Sequence, residues 1–120
     1  MNIEKLLAAP LRPPLDFDRI NAVALSNLPA LLRRWLPDGT IKRGEFTACN
    51  PRRADTHPGS FSINVRSGKW SDFATKDRGN TPLSLAVYLS GKPPYEAAAE
   101  LANMLGIDDP IRKSNGSRNV

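Results

Sequence analysis

Cysteine and histidine are almost missing from this chain: Cys49 and His57 stand alone in 120 residues. A single cysteine excludes an internal disulfide and gives no sign of an oxidising compartment. No apolar run approaches the roughly eighteen residues that span a bilayer. The opening MNIEKLLAAP, with one Lys and an early Glu, makes a poor secretory signal. A cytoplasmic location is expected. Internal repeats are missing, and so is a phosphate-cradling glycine loop, since Gly68 and Gly79 stand singly in turn-like settings. His57, between Thr56 and Pro58, has no Ser or Cys nucleophile in a recognisable frame and reads as loop structure. Cys49 lacks a neighbouring base and reads as a small buried hydrophobe at a strand end. Asp55, Asp72 and Asp77 form no paired-carboxylate motif for Mg²⁺; turn chemistry or salt bridging to Lys76 or Arg78 accounts for them. The chain is therefore expected to be no enzyme, with no catalytic residue, metal, cofactor, small-molecule substrate or membrane partner.

Proline and positive charge are what the chain has in quantity. Eleven prolines imply stiff connections and short helices. Its length, with 40% hydrophobic residues, suits one domain with a modest core. Seventeen Lys and Arg against twelve Asp and Glu leave a net charge of +5. Arg33, Arg34, Lys42, Arg43, Arg52, Arg53, Arg66, Lys69, Lys76 and Arg78 fall between positions 33 and 80. Only Asp38, Glu45, Asp55, Asp72 and Asp77 oppose them there, so this middle region carries the whole excess. Positive charge gathered in one region is the footprint of a polyanion binder.

In chain order, Asn2 is a candidate cap for a short helix over residues 2–9, ended by Pro10. Pro13-Pro14 force an extended segment. Asp16 or Asp18 is placed to cap a helix with the stripe Phe17, Ile20, Val23 and Ala24. Pro29 suits the first turn of the next helix, whose Leu28, Leu31, Leu32, Trp35 and Leu36 face the core. Pro37-Asp38-Gly39 makes a turn. The period then changes to two. Ile41, Phe46 and Ala48 form a first strand interrupted at Arg43-Gly44 by a bulge or a hairpin. Pro51 and Pro58 make residues 49–59 a loop. Phe61, Ile63 and Val65 mark the clearest strand, and Arg66-Ser67-Gly68 turns it back into Lys69 to Phe73. Asp77 to Asn80 reads as a second turn. Thr81 caps and Pro82 opens a short buried helix stopped by Gly91; Pro93-Pro94 start a last helix with Gly106 just beyond its end. From Asp109 onward the chain is polar and expected to be mobile.

Six pieces of this order carry a resemblance. They are Cys49-Asn50-Pro51-Arg52, the run from Pro58 to Val65, Trp70 to Phe73, Arg78-Gly79-Asn80, Pro82 to Leu89, and Ala98 to Ile107. Together they resemble the N-terminal zinc-binding domain of bacterial and phage DNA primases over the middle and C-terminal two thirds of the chain. In that family a Cys-Pro-x-His run precedes a strand, then an aromatic strand carrying Cys-x-x-Cys, a Gly-Gly-Asp turn and an apolar helix. Here Arg52 takes the His position, and the Cys-x-x-Cys positions fall near Asp72 and Thr75. One thiolate cannot hold a structural zinc. A substitute set of Cys49, His57, Asp72 and Asp77 has hard carboxylates and irregular spacing. The resemblance thus implies an α+β fold: a small antiparallel zinc-ribbon-like sheet without zinc, flanked by short N- and C-terminal helices. Trp70, Phe61, Phe73 and the helices would supply the burial that a metal otherwise contributes. Residues 1–37 would be a helical segment packing on the core, 38–107 the ribbon-like module with its helices, and 108–120 a mobile tail, all in one domain.

On such a ribbon Arg52, Arg53, Arg66, Lys69, Lys76 and Arg78 are candidate phosphate contacts. Trp70 is either a stacking face for an unpaired base or part of the core. Alternation puts Trp70 and Asp72 on one side of their strand and Ser71 and Phe73 on the other, one aromatic to each. The resemblance implies a nucleic-acid-binding module that recognises single-stranded DNA for a primase or replication protein of a phage or mobile element. A primase, helicase or other replication protein is then the expected protein partner. The usual catalytic domain does not follow Ile107, so a fragment of a larger protein or a module working in trans is expected. The alternative is a small protein-interaction factor, an element-encoded inhibitor or adaptor that uses the ribbon to grip a host protein.

Overall fold

The first helix begins where a carboxylate can hold its free amides. In the computed structural model, which describes residues 13–112, Asp16 Oδ1 accepts from Arg19 N at 3.0 Å and opens α1 (Phe17–Ser26). Helix α2 (Leu28–Trp35) carries Pro29 in its first turn and buries Leu28, Leu31 and Leu32. Its Arg33 and Arg34 lie exposed in the last turn, where cations suit the carbonyl end of a helix. Five strands follow: β1 (Thr40–Lys42), β2 (Glu45–Ala48), β3 (Phe61–Asn64), β4 (Trp70–Asp72) and β5 (Arg78–Gly79). They form one antiparallel sheet in chain order. Helices α3 (Pro82–Ser90) and α4 (Pro94–Met104) complete an α+β fold. No described helix is long and apolar enough to cross a membrane.

The interruption at Arg43-Gly44 is a hairpin. Both residues have positive φ, 52° and 81°, as a two-residue turn between Lys42 and Glu45 requires when it follows the twist of the strands. The second expected turn lies earlier than the sequence indicates. Asp77 to Asn80 is not a turn, because Arg78 and Gly79 pair with Ser71 and Trp70 as β5. The reversal occurs over residues 73–76, closed by Asp72 N donating to Asp77 O at 2.8 Å. Gly79 is needed there for space. A Cβ on it would stand 2.4 Å from Trp70 Nε1 and 2.5 Å from Ser84 Oγ.

Two clusters of buried side chains join the layers. Phe46, Ala48, Phe61, Ile63 and Trp70 come from the inner side of the sheet and meet Leu28, Leu32, Leu36 and Leu85 from the helical side. A second cluster, including Ile20, Ala24, Leu83, Ala98 and Leu101, packs α1, α3 and α4 together. Helix α3 is fixed at both ends. Thr81 and Ser84 form a capping box, Asn21 Oδ1 accepts from Leu83 N at 2.8 Å, and Gly91 closes the helix with φ 70°. Residues 109–112 differ from the mobile segment expected from Asp108 onward. Leu15 bridges Ile111, with Asp16 N on Pro110 O and Arg112 N on Pro14 O, each at 2.7 Å. A pairing between opposite ends of the chain leaves no local signal. The helix expected over residues 2–9, and the tail from 113 on, lie outside the described residues.

Candidate nucleic-acid interface

Side chains on a strand alternate between faces, and directly paired residues share a face. The inner row therefore runs through Phe46, Ile63, Trp70 and Gly79, and the outer row through Thr40, Thr47, Ser62, Ser71 and Arg78. Lys42, Glu45 and Asn64 extend the outer face at one end. Every one of these outer residues is exposed or half-buried. Short hydroxyl side chains thus floor an open depression of about 670 Å³, bordered by Lys69, Phe73 and Arg78. Glu45 is the carboxylate on this face, and Asn64 Nδ2 donates to it at 3.4 Å.

The expected contact residues separate into three groups. Lys69 and Arg78 border the depression. Arg66 and Lys76 sit at opposite ends of the sheet. Arg66 Nε lies 3.8 Å from where a Gly44 Cβ would be, beside the β1–β2 turn, and Lys76 lies in the 73–76 connection. Arg52 is exposed elsewhere, its guanidinium next to Gly91 at the end of α3. Arg53 and Trp70 point inward: Trp70 takes the core place that was one of its two expected roles, and Arg53 is engaged within the fold.

Trp70 is only 5% exposed. Its ring meets Phe61 nearly edge-on at 78° and lies 4.7 Å from Tyr88 between centroids, while Nε1 donates to Ser84 Oγ at 2.9 Å. No face of the indole is left for a base. The most exposed aromatic among the described residues is Phe73, at 71%. It supplies none of the burial expected of it, because it stands on the Ser71 side of β4. Phe73 and the turn residue Arg43 are the surface residues that the sequence did not single out as a site. Alternation along β4 was the signal for Phe73, and the Arg-Gly dipeptide between two strands was the signal for Arg43.

Arg53 is held by carboxylates. Its Nε and Nη2 donate to Asp72 at 2.7 and 3.2 Å, and Nη2 also lies 3.2 Å from Asp55 Oδ2. Asp72 is fully buried. It further accepts from Asn50 Nδ2 at 2.8 Å and from Ala74 N at 2.9 Å. The Arg53 hydrogen bond chiefly holds the Asp72 carboxyl down at about 2, against the opposing effect of burial. Buried Asn50 also donates to Tyr88 Oη, and its backbone N–H donates to Asp55 Oδ2, each at 2.8 Å. Tyr88 Oη in turn donates to Asp77 at 2.8 Å, and burial pushes its phenol up. Asp72 thus pairs with Arg53 and accepts from Ala74 N, and Asp77 bonds Tyr88 and Thr75; of the two expected accounts the turn chemistry is present, and no bridge to Lys76 or Arg78 occurs among the described residues. Among the described residues no three His, Cys, Asp or Glu side chains converge where they could hold a metal ion. No protein-family model matches this chain, and no curated protein is similar enough to count as a relative.

Proposed function

We propose that the chain is a nucleic-acid-binding module that takes single-stranded DNA on the outer face of its sheet, in the service of a primase or other replication protein of a phage or mobile element. The observation that carries the reading is the set of cations around that face. Lys42, Arg43, Arg66, Lys69, Lys76 and Arg78 are all exposed, and none makes an ion pair among the described residues. Exposed cations around an open, hydroxyl-lined surface suit a phosphate backbone and the release of its counterions. The buried cluster supports the likeness to the primase ribbon. Asn50, Arg53 and Asp72 tie the 49–55 segment to the 72–75 turn, the two places where the resemblance puts metal ligands. A polar node there does mechanically what a metal would do. A second reading, a factor that grips a host protein, draws on the other side of the molecule. There Trp35, Leu89, Leu101 and Met104 line an apolar cleft of about 310 Å³. Fluorescence anisotropy of labelled single-stranded DNA at two salt concentrations separates the readings. Binding that weakens steeply with salt is expected; no binding at low salt would remove the nucleic-acid module and turn attention to the cleft.

A further inference from the structure

Two non-glycine residues among those described adopt positive φ, and both are cations: Arg43 at 52° and Lys76 at 71°. The left-handed region is costly for residues with a Cβ, and such turn positions are ordinarily filled by Gly, Asn or Asp. Strain of this kind persists where the surroundings impose it, and it concentrates at ligand clamps. Neither side chain repays the strain within the fold, since both are exposed and neither makes an ion pair among the described residues. We infer that Arg43 and Lys76 are phosphate anchors at the two ends of a single-strand track across the outer face of the sheet, with Phe73 as its base-stacking platform. The inference rests on the function proposed above and names the residues that would perform it.

The topology puts these groups in order. Arg43 and Arg66 share one end of the sheet, where the β1–β2 turn lies against the connection from β3 to β4. Phe73 and Lys76 begin and end the four-residue connection between Asp72 and Asp77 at the other end. Between them Lys69, Ser71 and Phe73 follow on one side of β4, so the three residues of β4, four steps of chain or about 13 Å, separate the ammonium-bearing residue from the ring-bearing one. Phe73 offers a π-face that any unpaired base can cover, whereas a duplex keeps its bases stacked on each other. Ser62, Ser71 and Asn64 are short enough to let a strand lie close and polar enough to bond it directly or through water. The Glu45 carboxylate repels phosphate, which favours a path on the Lys69 and Arg78 side.

The test uses the full chain, labelled oligo-thymidylate and a labelled duplex control, with melting temperature measured alongside. Arg43→Gly and Lys76→Gly are expected to melt at higher temperature than the parent while binding more weakly. Each should flatten the logarithmic salt slope by about 0.7, the share of one phosphate on a single strand. Phe73→Ala and Phe73→Leu should each loosen the single strand by roughly 5- to 150-fold, leaving its salt slope and the duplex control unchanged. Salt-sensitive binding by the parent, with all four variants binding equally well, would overturn the track and leave the module standing. Glycine variants that melt lower would make the two turn cations structural and overturn the anchors. No binding by the parent at low salt would instead remove the proposed function itself.

Discussion

Asp72 is the residue on which the sheet and the long loop depend. Its carboxylate is fully buried and surrounded by donors from Arg53, Asn50 and Ala74. In the unfolded chain it would ionise near an ordinary carboxylate value of about 4. The folded state holds it at about 2, so it contributes stability above pH 4 that is lost as pH falls toward 2. The contribution is roughly 2–3 kcal/mol, at about 1.4 kcal/mol for each unit of depression. Asp72→Asn should lower stability at neutral pH by about that amount and flatten the acid limb of a stability-against-pH curve from urea melts. An unchanged acid limb would assign the acid sensitivity to other carboxylates. Gly79 presents a steric case at the same scale. Adding one methyl by Gly79→Ala forces Trp70 and Ser84 apart and should cost about 2 kcal/mol, with a shift in tryptophan emission as the indole moves.

At the scale of elements, the 49–59 loop is the part most dependent on side-chain bonds. It contains no strand; Arg53 and Asn50 tie it to β4, Asn50 ties it to α3, and Asp55 bonds within the loop to Asn50 N and Arg53. Arg53→Ala should therefore lower the melting temperature and speed proteolytic cleavage within the loop, whereas Arg52→Ala should do neither. Equal behaviour of the two variants would mean that the ion pair contributes nothing to loop order. The helices were legible in the sequence because each carries its own signals: Asp16, Pro29, Thr81-Pro82, Gly91 and Pro93-Pro94 mark their ends where the structure has them, to within a residue or two. β3 was legible through clean alternation, and the loop through its prolines. β5 was not, because a two-residue strand of Arg and Gly carries no period and exists only by pairing with β4. The candidate site was legible in part. Lys69, Arg66, Lys76 and Arg78 could be read as surface cations, but the inward turn of Arg53 depends on a buried carboxylate nineteen positions away in the chain. Nothing near Arg52-Arg53 distinguishes the free arginine from the bound one.

Over the whole molecule, burial and charge are arranged on opposite sides of one sheet. The inner face holds Phe46, Phe61, Ile63 and Trp70 against α2 and α3, and the outer face keeps hydroxyls, amides, cations and Phe73. That division is what a one-sided antiparallel sheet produces when its apolar set is used up on one face. It leaves the outer face open, and on the function proposed above the charge around it would favour a polyanion. The most direct test is backbone amide shift mapping of the full chain during titration with oligo-thymidylate. The expected result is a set of shifts confined to Thr47, Ser62, Ser71, Phe73 and Arg78 and to the turns at Arg43 and Lys76. Shifts centred instead on Trp35, Leu89 and Met104, or no shifts at low salt, would contradict a nucleic-acid-binding outer face.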